Sequence, residues 1–306
     1  MISGVFSHIL EQFSVKAALK KILFDKTDAL ISPFLVNSAD FPLTASSLET
    51  LIAYRSAIAL KLAMAEPVAS RNIADRLVQL IIEPVRHEEV QVCSAPSLAL
   101  TISDHWMVKA DTQGWIILTL SELGITIWLQ GLNAITTLCC QDKSEPVNDF
   151  PPDLLRYWPL SPHLRLSLPM VLQHEHARCC TWLRRSHLQD GELTTTLVPY
   201  HSTPLASQPH WRWSDQSPIA CYQLLRTIVH TLDIMAERKG DPMTCLRQGY
   251  ALGQAVYTFE ASIPLGTVQM LPSEVQLAIW SVMQAAQQVL GLIISNVLQQ
   301  KPVENF

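Results

Sequence analysis

Residues able to bind a metal ion or act as nucleophiles are concentrated in one short segment. His174, His176, Cys179 and Cys180 lie within seven consecutive positions, and imidazole and thiolate groups are typical zinc ligands. In a helix, however, side chains two positions apart point about 200° apart, so His174 and His176 cannot share one ion. The spacing of Leu172, His176, Cys179 and Leu183 instead predicts a helix with a small or apolar face. We therefore expect a core helix here, with no metal and no cofactor.

Arg178, Arg184 and Arg185, in or just after this segment, are candidates for contacts with RNA phosphates. They lie outside the apolar face of the predicted helix, where a solvated surface is the alternative. Arg178 could equally pair with Glu175 or cap a neighbouring helix. Farther along the chain, Trp211-Arg212-Trp213 offers stacking surfaces beside a cation, as readers of single-stranded RNA do; a loop held on the core by two tryptophans is the alternative. The full set of RNA-binding candidates is Arg178, Arg184, Arg185, Trp211, Arg212, Trp213, Arg226 and Arg247.

Motifs for catalysis are missing from the sequence. It contains no nucleophile elbow, no Walker loop, no Rossmann glycine pattern and no paired-carboxylate signature. We therefore assign no catalytic residue and expect a protein that is not an enzyme.

Composition narrows the class of protein and its partners. The chain has 306 residues, of which 48% are hydrophobic and 16% charged, which excludes a disordered or coiled-coil protein and allows two domains. A net charge of −5 argues against a general nucleic-acid binder, although a local basic face remains compatible with it. We expect neither DNA nor a membrane as partner.

The N-terminus lacks a secretion signal and the seven cysteines form no disulfide framework, so we expect a cytoplasmic location.

The first half of the chain alternates helical and extended patterns. Apolar spacing predicts a helix within 1–24, an extended stretch at 28–45 and helices at 51–63 and 70–82. Strands are predicted at 90–92 and 98–102, and a hairpin or two sheet strands within 114–138.

The second half is predicted to be a helical bundle that follows a linker. Five prolines mark 141–167 as the linker. Helices are expected near 169–187, 217–238, 242–262 and 273–299, with a polar loop after the first. The last of these is apolar, but its glutamines favour a buried amphipathic helix over a membrane span. The predicted fold class is therefore α+β, with helices on a small antiparallel sheet followed by an all-α four-helix bundle.

Several of these segments resemble one known family. Residues 173–180, Gln-His-Glu-His-Ala-Arg-Cys-Cys, resemble the Tyr-Ala-His-Ala-Arg signature, followed by Cys or Ser, in the first helix of the DALR-type anticodon-binding domain of arginyl-tRNA synthetases. Residues 57–63, 72–78 and 90–100 are similar, in order, to two helices and a strand of that family's N-terminal tRNA-contacting domain. The chain departs from the family at 97–100, where Ser-Leu-Ala-Leu replaces Gly-Phe-Ile-Asn.

The resemblance implies two tRNA-contacting domains without the enzyme between them. It implies an arginyl-tRNA synthetase N-terminal-like α+β domain at 1–140, the linker at 141–167 and an anticodon-binding-like bundle at 168–306. The gap from about 103 to 168 is too short for the catalytic domain, and the synthetase motifs His-x-Gly-His and Lys-Met-Ser-Lys-Ser are absent from the sequence. The implied function is a non-catalytic tRNA-binding module, a pseudoenzyme. The alternatives are a protein-interaction or scaffold subunit that kept the fold but lost RNA binding and, more remotely, a participant in arginyl-tRNA aminoacylation.

Overall fold

The computed structural model describes residues 4–31, 37–46, 52–64, 69–82, 103–139, 157–161, 164–187 and 218–303. The chain divides into two compact units, one formed by Glu11–Trp128 and the other by Met1–Leu10 together with Leu129–Phe306. The described residues are mostly helical and include a small four-stranded antiparallel sheet, so the predicted α+β class is confirmed at that level.

The helices are α1 (Gly4–Phe13), α2 (Val15–Ile31), α3 (Ile58–Ala63), α4 (Ser70–Ile82), α5 (Glu122–Cys139), α6 (Leu168–His187), α7 (Ile219–Glu237), α8 (Pro242–Ser262), α9 (Leu265–Val268) and α10 (Ser273–Asn296). The strands are β1 (Leu43–Ala45), β2 (Ala53–Ser56), β3 (Trp106–Ala110), β4 (Ile116–Leu120), β5 (Tyr157–Ser161) and β6 (Leu164–Ser167).

The Glu11–Trp128 unit is built around the four-stranded sheet. Its strand order is β1-β2-β4-β3, and every neighbouring pair is antiparallel. Strand β4 is central and almost entirely buried, as its run of Ile, Leu and Thr predicts. Helix α4 packs on β3 and on α2 and α3. Between β3 and β4, Gly114 adopts φ +91°, and a Cβ there would lie 2.7 Å from Oγ of Ser70 on α4. Glycine therefore lets this turn approach the helix.

Sequence-based expectations for this unit had mixed outcomes. The helix at 70–82 is confirmed as α4. The prediction of a helix throughout 51–63 was wrong for Ala53–Ser56, which form β2 because β1 and β4 supply hydrogen-bonding partners on both sides. The prediction of strands throughout 114–138 was right for β4 and wrong for the residues of α5. The predicted strands at 90–92 and 98–102 lie outside the described residues.

The N-terminal segment and the predicted linker also differ from expectation. Instead of one helix within 1–24, the chain forms α1 and α2, which break at Ser14, whose hydroxyl accepts a hydrogen bond from the amide of Ala17 at 3.0 Å. Helix α2 extends into the stretch predicted to be extended. Within the Pro-rich 141–167, β5 and β6 form an antiparallel hairpin that packs on α6.

Four long helices make up most of the second unit. The helices α6, α7, α8 and α10 match the predicted 169–187, 217–238, 242–262 and 273–299 within about three residues at each end, the usual uncertainty of helix boundaries. Helix α6 packs on α8 and α10, and α7 packs on the same two helices. The turn from α7 to α8 uses left-handed backbone at Lys239 and Gly240, and Asp241 then caps α8 by accepting a hydrogen bond from the amide of Thr244 at 2.8 Å.

Two glycines of α8 allow α6 to approach closely. A Cβ at Gly249 would lie 2.9 Å from Cδ2 of Leu172, and one at Gly253 would lie 3.0 Å from Cγ of Glu175. Because these contacts advance together along both helices, α6 and α8 run in the same direction. Gly253 thereby makes room for the side chain of Glu175.

Helix α10 is long and apolar. By length and hydropathy it could cross a membrane, with a mean hydropathy of 1.6 in its most apolar window. Within this structure 61% of that window is buried against the rest of the protein, which is the pattern of a core helix.

Candidate functional site

His176 is a buried core histidine. Its Nδ1 lies 2.9 Å from the carbonyl oxygen of Val303, which can only accept a hydrogen bond, so Nδ1 carries the proton. Its Nε2 lies 3.3 Å from Nε2 of Gln287 on α10, which donates to it. Both ring nitrogens are thus engaged without a metal ion. No group of three or more metal-binding side chains occurs among the residues that the structure describes.

The side chain of Gln173 binds the segment after α10 through its main chain. Its Oε1 accepts a hydrogen bond from the amide of Val303 at 2.7 Å, and its Nε2 donates to the carbonyl oxygen of Lys301 at 3.1 Å. Together with His176, it attaches residues 301–303 to α6. This polar face of α6 is therefore structural.

Glu175 places a carboxyl group in the interior of the protein. It is fully buried, and its Oε1 lies 3.1 Å from Nδ1 of His174 and 3.8 Å from Nη1 of Arg178. Among the described residues, no donor reaches its other oxygen, Oε2. A buried, half-satisfied carboxylate is costly, so this environment favours the protonated form.

Arg178 joins Glu175 to helix α8. Its Nε donates to Oε2 of Glu260 at 3.0 Å, and Nη2 donates to the same oxygen. Its guanidinium carbon also lies 5.0 Å from the centre of the Tyr257 ring, a cation–π contact. Tyr257 and Glu260 are three positions apart and share one face of α8. Arg178 is thus held by α6 and α8 together.

Burial and the neighbouring charges shift the pKa values of the groups in this cluster. Burial raises the pKa of Glu175 to about 7, with Arg178 opposing and Glu260 reinforcing the shift. Burial, and then the charge of Arg178, lower the pKa of His174, so its ring is neutral at neutral pH. Burial acts to lower the pKa of Arg178, but the carboxylates of Glu175 and Glu260 outweigh it and raise that pKa.

A cavity of about 440 Å³ opens beside Arg178 at the carboxyl-terminal end of α8. Its size is within the range of small-molecule sites, roughly 300–1,000 Å³. The lining side chains combine polar groups with an apolar wall: His174, Ala177, Arg178, Thr181, Trp182, Arg185, Glu260, Ile263 and Leu265. The ring of Trp182 is fixed by an edge-to-face contact with Phe259, with centroids 6.0 Å apart. This cavity is the best candidate for a binding site in the described part of the chain.

The structure brings together only some of the residues predicted to bind RNA. Arg178 and Arg185 line the cavity, and Arg184, the residue before Arg185, is exposed but does not line it. Arg226 on α7 and Arg247 on α8 do not line this cavity. Trp211, Arg212 and Trp213 lie outside the described residues.

Sequence reasoning missed Glu260 and Tyr257. Glu260 is 82 positions from Arg178, so nothing in the local pattern connects the two residues. The available signal was the spacing of Tyr257 and Glu260 on a predicted helix, which places an aromatic ring and a carboxylate side by side.

Comparison with known proteins adds no identification. No protein-family description matches the chain, and neither a curated protein nor a solved structure is significantly similar to it. The resemblance of its sequence motifs to one family therefore stays a prediction, and the geometry of the site is the basis for any functional proposal.

Proposed function

We propose that this chain is a non-catalytic tRNA-binding module related to the accessory domains of arginyl-tRNA synthetases. In this proposal α6, α7, α8 and α10 form a four-helix bundle of the anticodon-binding type, and the N-terminal residues correspond to the family's other tRNA-contacting domain. The observation that carries the proposal is the position of the cavity. It opens on α6, the helix with the signature-like segment, and combines arginines with a tryptophan and a histidine.

The chemistry of the cavity suits a nucleic acid better than a charged metabolite. Arginine contacts phosphates, and aromatic surfaces stack on unpaired bases. Arg184 and Arg185 are both exposed at the carboxyl-terminal end of α6, where cations also complement the helix dipole. Arg178 is held by Glu175, Glu260 and Tyr257, so we assign the phosphate contacts to Arg184 and Arg185.

The overall charge sets the kind of binding expected. With a net charge of −5, the protein repels RNA at long range, and attraction depends on a local basic face. Binding is therefore expected to be specific to a shape or sequence and to weaken strongly with added salt.

The test is equilibrium filter binding of total tRNA at moderate salt, with random RNA of the same length as competitor. We expect tRNA to bind more tightly than random RNA. Replacing both Arg184 and Arg185 with Ala is expected to weaken binding by roughly tenfold or more and to lower the slope of log K against log salt by about 1–2. The matched control replaces Arg238 and Lys239, another adjacent exposed basic pair, with Ala. Equal affinity for tRNA and random RNA, or an equal loss in the control, contradicts the proposal.

A second candidate function is a protein-interaction or scaffold subunit. The observation in its favour is exposed apolar surface on the second unit, where Met270 is 90% and Met170 is 49% exposed. A partner protein that remains bound through size-exclusion chromatography and is lost in a Met270→Glu variant, together with no tRNA affinity, would favour this function. Participation in aminoacylation is tested separately by ATP–pyrophosphate exchange with arginine, for which we expect no activity.

A further inference from the structure

We propose that the cavity beside Arg178 receives one unpaired nucleobase whose exocyclic amino group donates a hydrogen bond to Oε1 of Glu260. The ligand is a nucleotide of cytosine, adenine or guanine, and uracil is disfavoured. This inference rests on the proposed RNA-binding function and assigns a ligand to the same site.

The cavity has an apolar wall that can contact the face of a base. Ala177 and Trp182 from α6, and Ile263 and Leu265 from the segment that follows α8, supply it. Trp182 cannot swing away easily because it is 7% exposed and contacts Phe259. A planar base that enters here replaces water against a fixed apolar surface, which favours binding.

Glu260 supplies a hydrogen-bond acceptor of fixed orientation. Two nitrogens of Arg178, Nε and Nη2, donate to Glu260, and both bind the same oxygen, Oε2. Among the described residues no hydrogen bond to Oε1 occurs, so this oxygen keeps its lone pairs for a ligand. Arg178 is held in turn by the Tyr257 ring, so the carboxylate does not reorient freely. The site therefore selects a ligand donor.

An exocyclic amino group is the donor that distinguishes the bases. Cytosine, adenine and guanine carry one on their base-pairing edge, whereas uracil carries there a single ring N3–H donor between two carbonyl oxygens, so its approach to the carboxylate brings a carbonyl oxygen against it. A carbonyl oxygen facing the carboxylate is repelled and leaves a polar group unpaired. The same carboxylate keeps the phosphate out of the cavity, and exposed Arg185 at its edge is placed to bind that phosphate.

The test measures binding of CMP, AMP, GMP and UMP to the full chain by saturation-transfer NMR and isothermal titration calorimetry. We expect the three amino-bearing nucleotides to bind roughly tenfold or more tightly than UMP. In Glu260→Gln the side-chain amide can also donate to a carbonyl oxygen, so the preference over UMP is expected to disappear.

A second pair of variants tests the location without changing a charge. Thr181 lines the cavity, is half-buried, and donates its hydroxyl to the carbonyl four residues earlier at 2.9 Å. Thr227 on α7 makes the same bond at 2.9 Å and does not line the cavity. We expect Thr181→Met to abolish nucleotide binding and Thr227→Met to leave it unchanged, with both variants folded by circular dichroism.

The outcomes separate this inference from the proposed function. UMP binding as tight as CMP binding, or an unaffected Thr181→Met variant, overturns the inference. If tRNA binds but no nucleotide occupies the cavity, the inference fails while the proposed function stands. If nucleotides bind with the expected preference but tRNA binds no better than random RNA, the proposed function fails and the cavity assignment stands.

Discussion

Replacing Glu175 with Gln tests the reasoning about the buried cluster most directly. The carboxyl group is fully buried, and its pKa is raised from 4.5 to about 7. The folded protein therefore holds the Glu175 proton more tightly than the unfolded chain does between these two values. As pH rises through this interval the unfolded state releases the proton first, so the contribution of Glu175 to stability falls, and it levels off above about pH 7.

The size of the effect follows from the pKa shift. At roughly 1.4 kcal/mol per pH unit, ionisation of buried Glu175 lowers the free energy of unfolding by about 3 kcal/mol over this range. Glutamine does not titrate, so the Glu175→Gln variant lacks this loss. Relative to the wild type, the variant is expected to gain roughly 3 kcal/mol of stability between about pH 5 and pH 8.

The assay is urea-induced unfolding of both proteins, followed by far-ultraviolet circular dichroism across that pH range. Glu274→Gln makes the same chemical change on an exposed side chain of α10 and reports the pH dependence of the assay itself. Carbon-13 NMR adds a direct readout, a glutamate carboxyl signal that is lost in Glu175→Gln and titrates near pH 7. Parallel stability profiles for wild type and Glu175→Gln, or a titration midpoint near 4.5, would refute the reasoning.

Three further predictions concern packing, capping and thiol reactivity. Gly253→Ala is expected to destabilise the protein by about 1–3 kcal/mol because the new Cβ overpacks α6, whereas Gly266→Ala, which has no atom within 4 Å of its added Cβ, has little effect on thermal melting. Asp241→Ala removes the α8 cap and is expected to lower the free energy of chemical unfolding by about 1 kcal/mol. Burial raises the pKa of Cys179 well above its ordinary value and that of Cys245 to about 12, so native protein is expected to resist iodoacetamide at both thiols until it is denatured, as peptide mass spectrometry would show.

Helices of the second unit could be predicted because their signals are local. Asp241 before Pro242 is a strong helix start, and α8 begins there. The apolar spacing of α6 and α10 was also sufficient to identify them. Where two or more turns of a helix bury one face, the spacing of apolar residues in the sequence is enough to predict the helix.

Elements whose identity depends on distant partners could not be predicted. The residues of β2 have a helix-like composition, but Tyr54 pairs with Leu118 on one side and Ala45 on the other. The prediction for α5 failed for a different reason, because a helix buried on most sides lacks the polar face that would reveal it. Ile125, Trp128 and Leu129 are all completely buried, so its sequence has little polar face to mark the helical period.

The candidate site was predicted in part. The interpretation of 174–180 as a core helix agrees with the buried environment of His176 and Cys179. Arg178 lies near Glu175, the pairing that the sequence offered as an alternative to RNA binding. The opposite wall of the cavity comes from the end of α8, more than 80 positions away, and only the fold brings it there.

The cluster also explains why Arg178 is unsuited to binding a phosphate directly. Two carboxylates face its single guanidinium, and one of them, Glu175, has no access to solvent. Among the described residues, Arg178 is the cation near Glu175, and moving it onto an RNA phosphate would leave Glu175 without that partner. The Glu175 carboxyl could then stay buried only in its neutral form. A positioning role is compatible with these charges, because Arg178 then orients Glu260 toward the cavity while it keeps its own partners. Phosphate binding falls instead to the exposed arginines at the end of α6, of which Arg185 reaches the cavity edge.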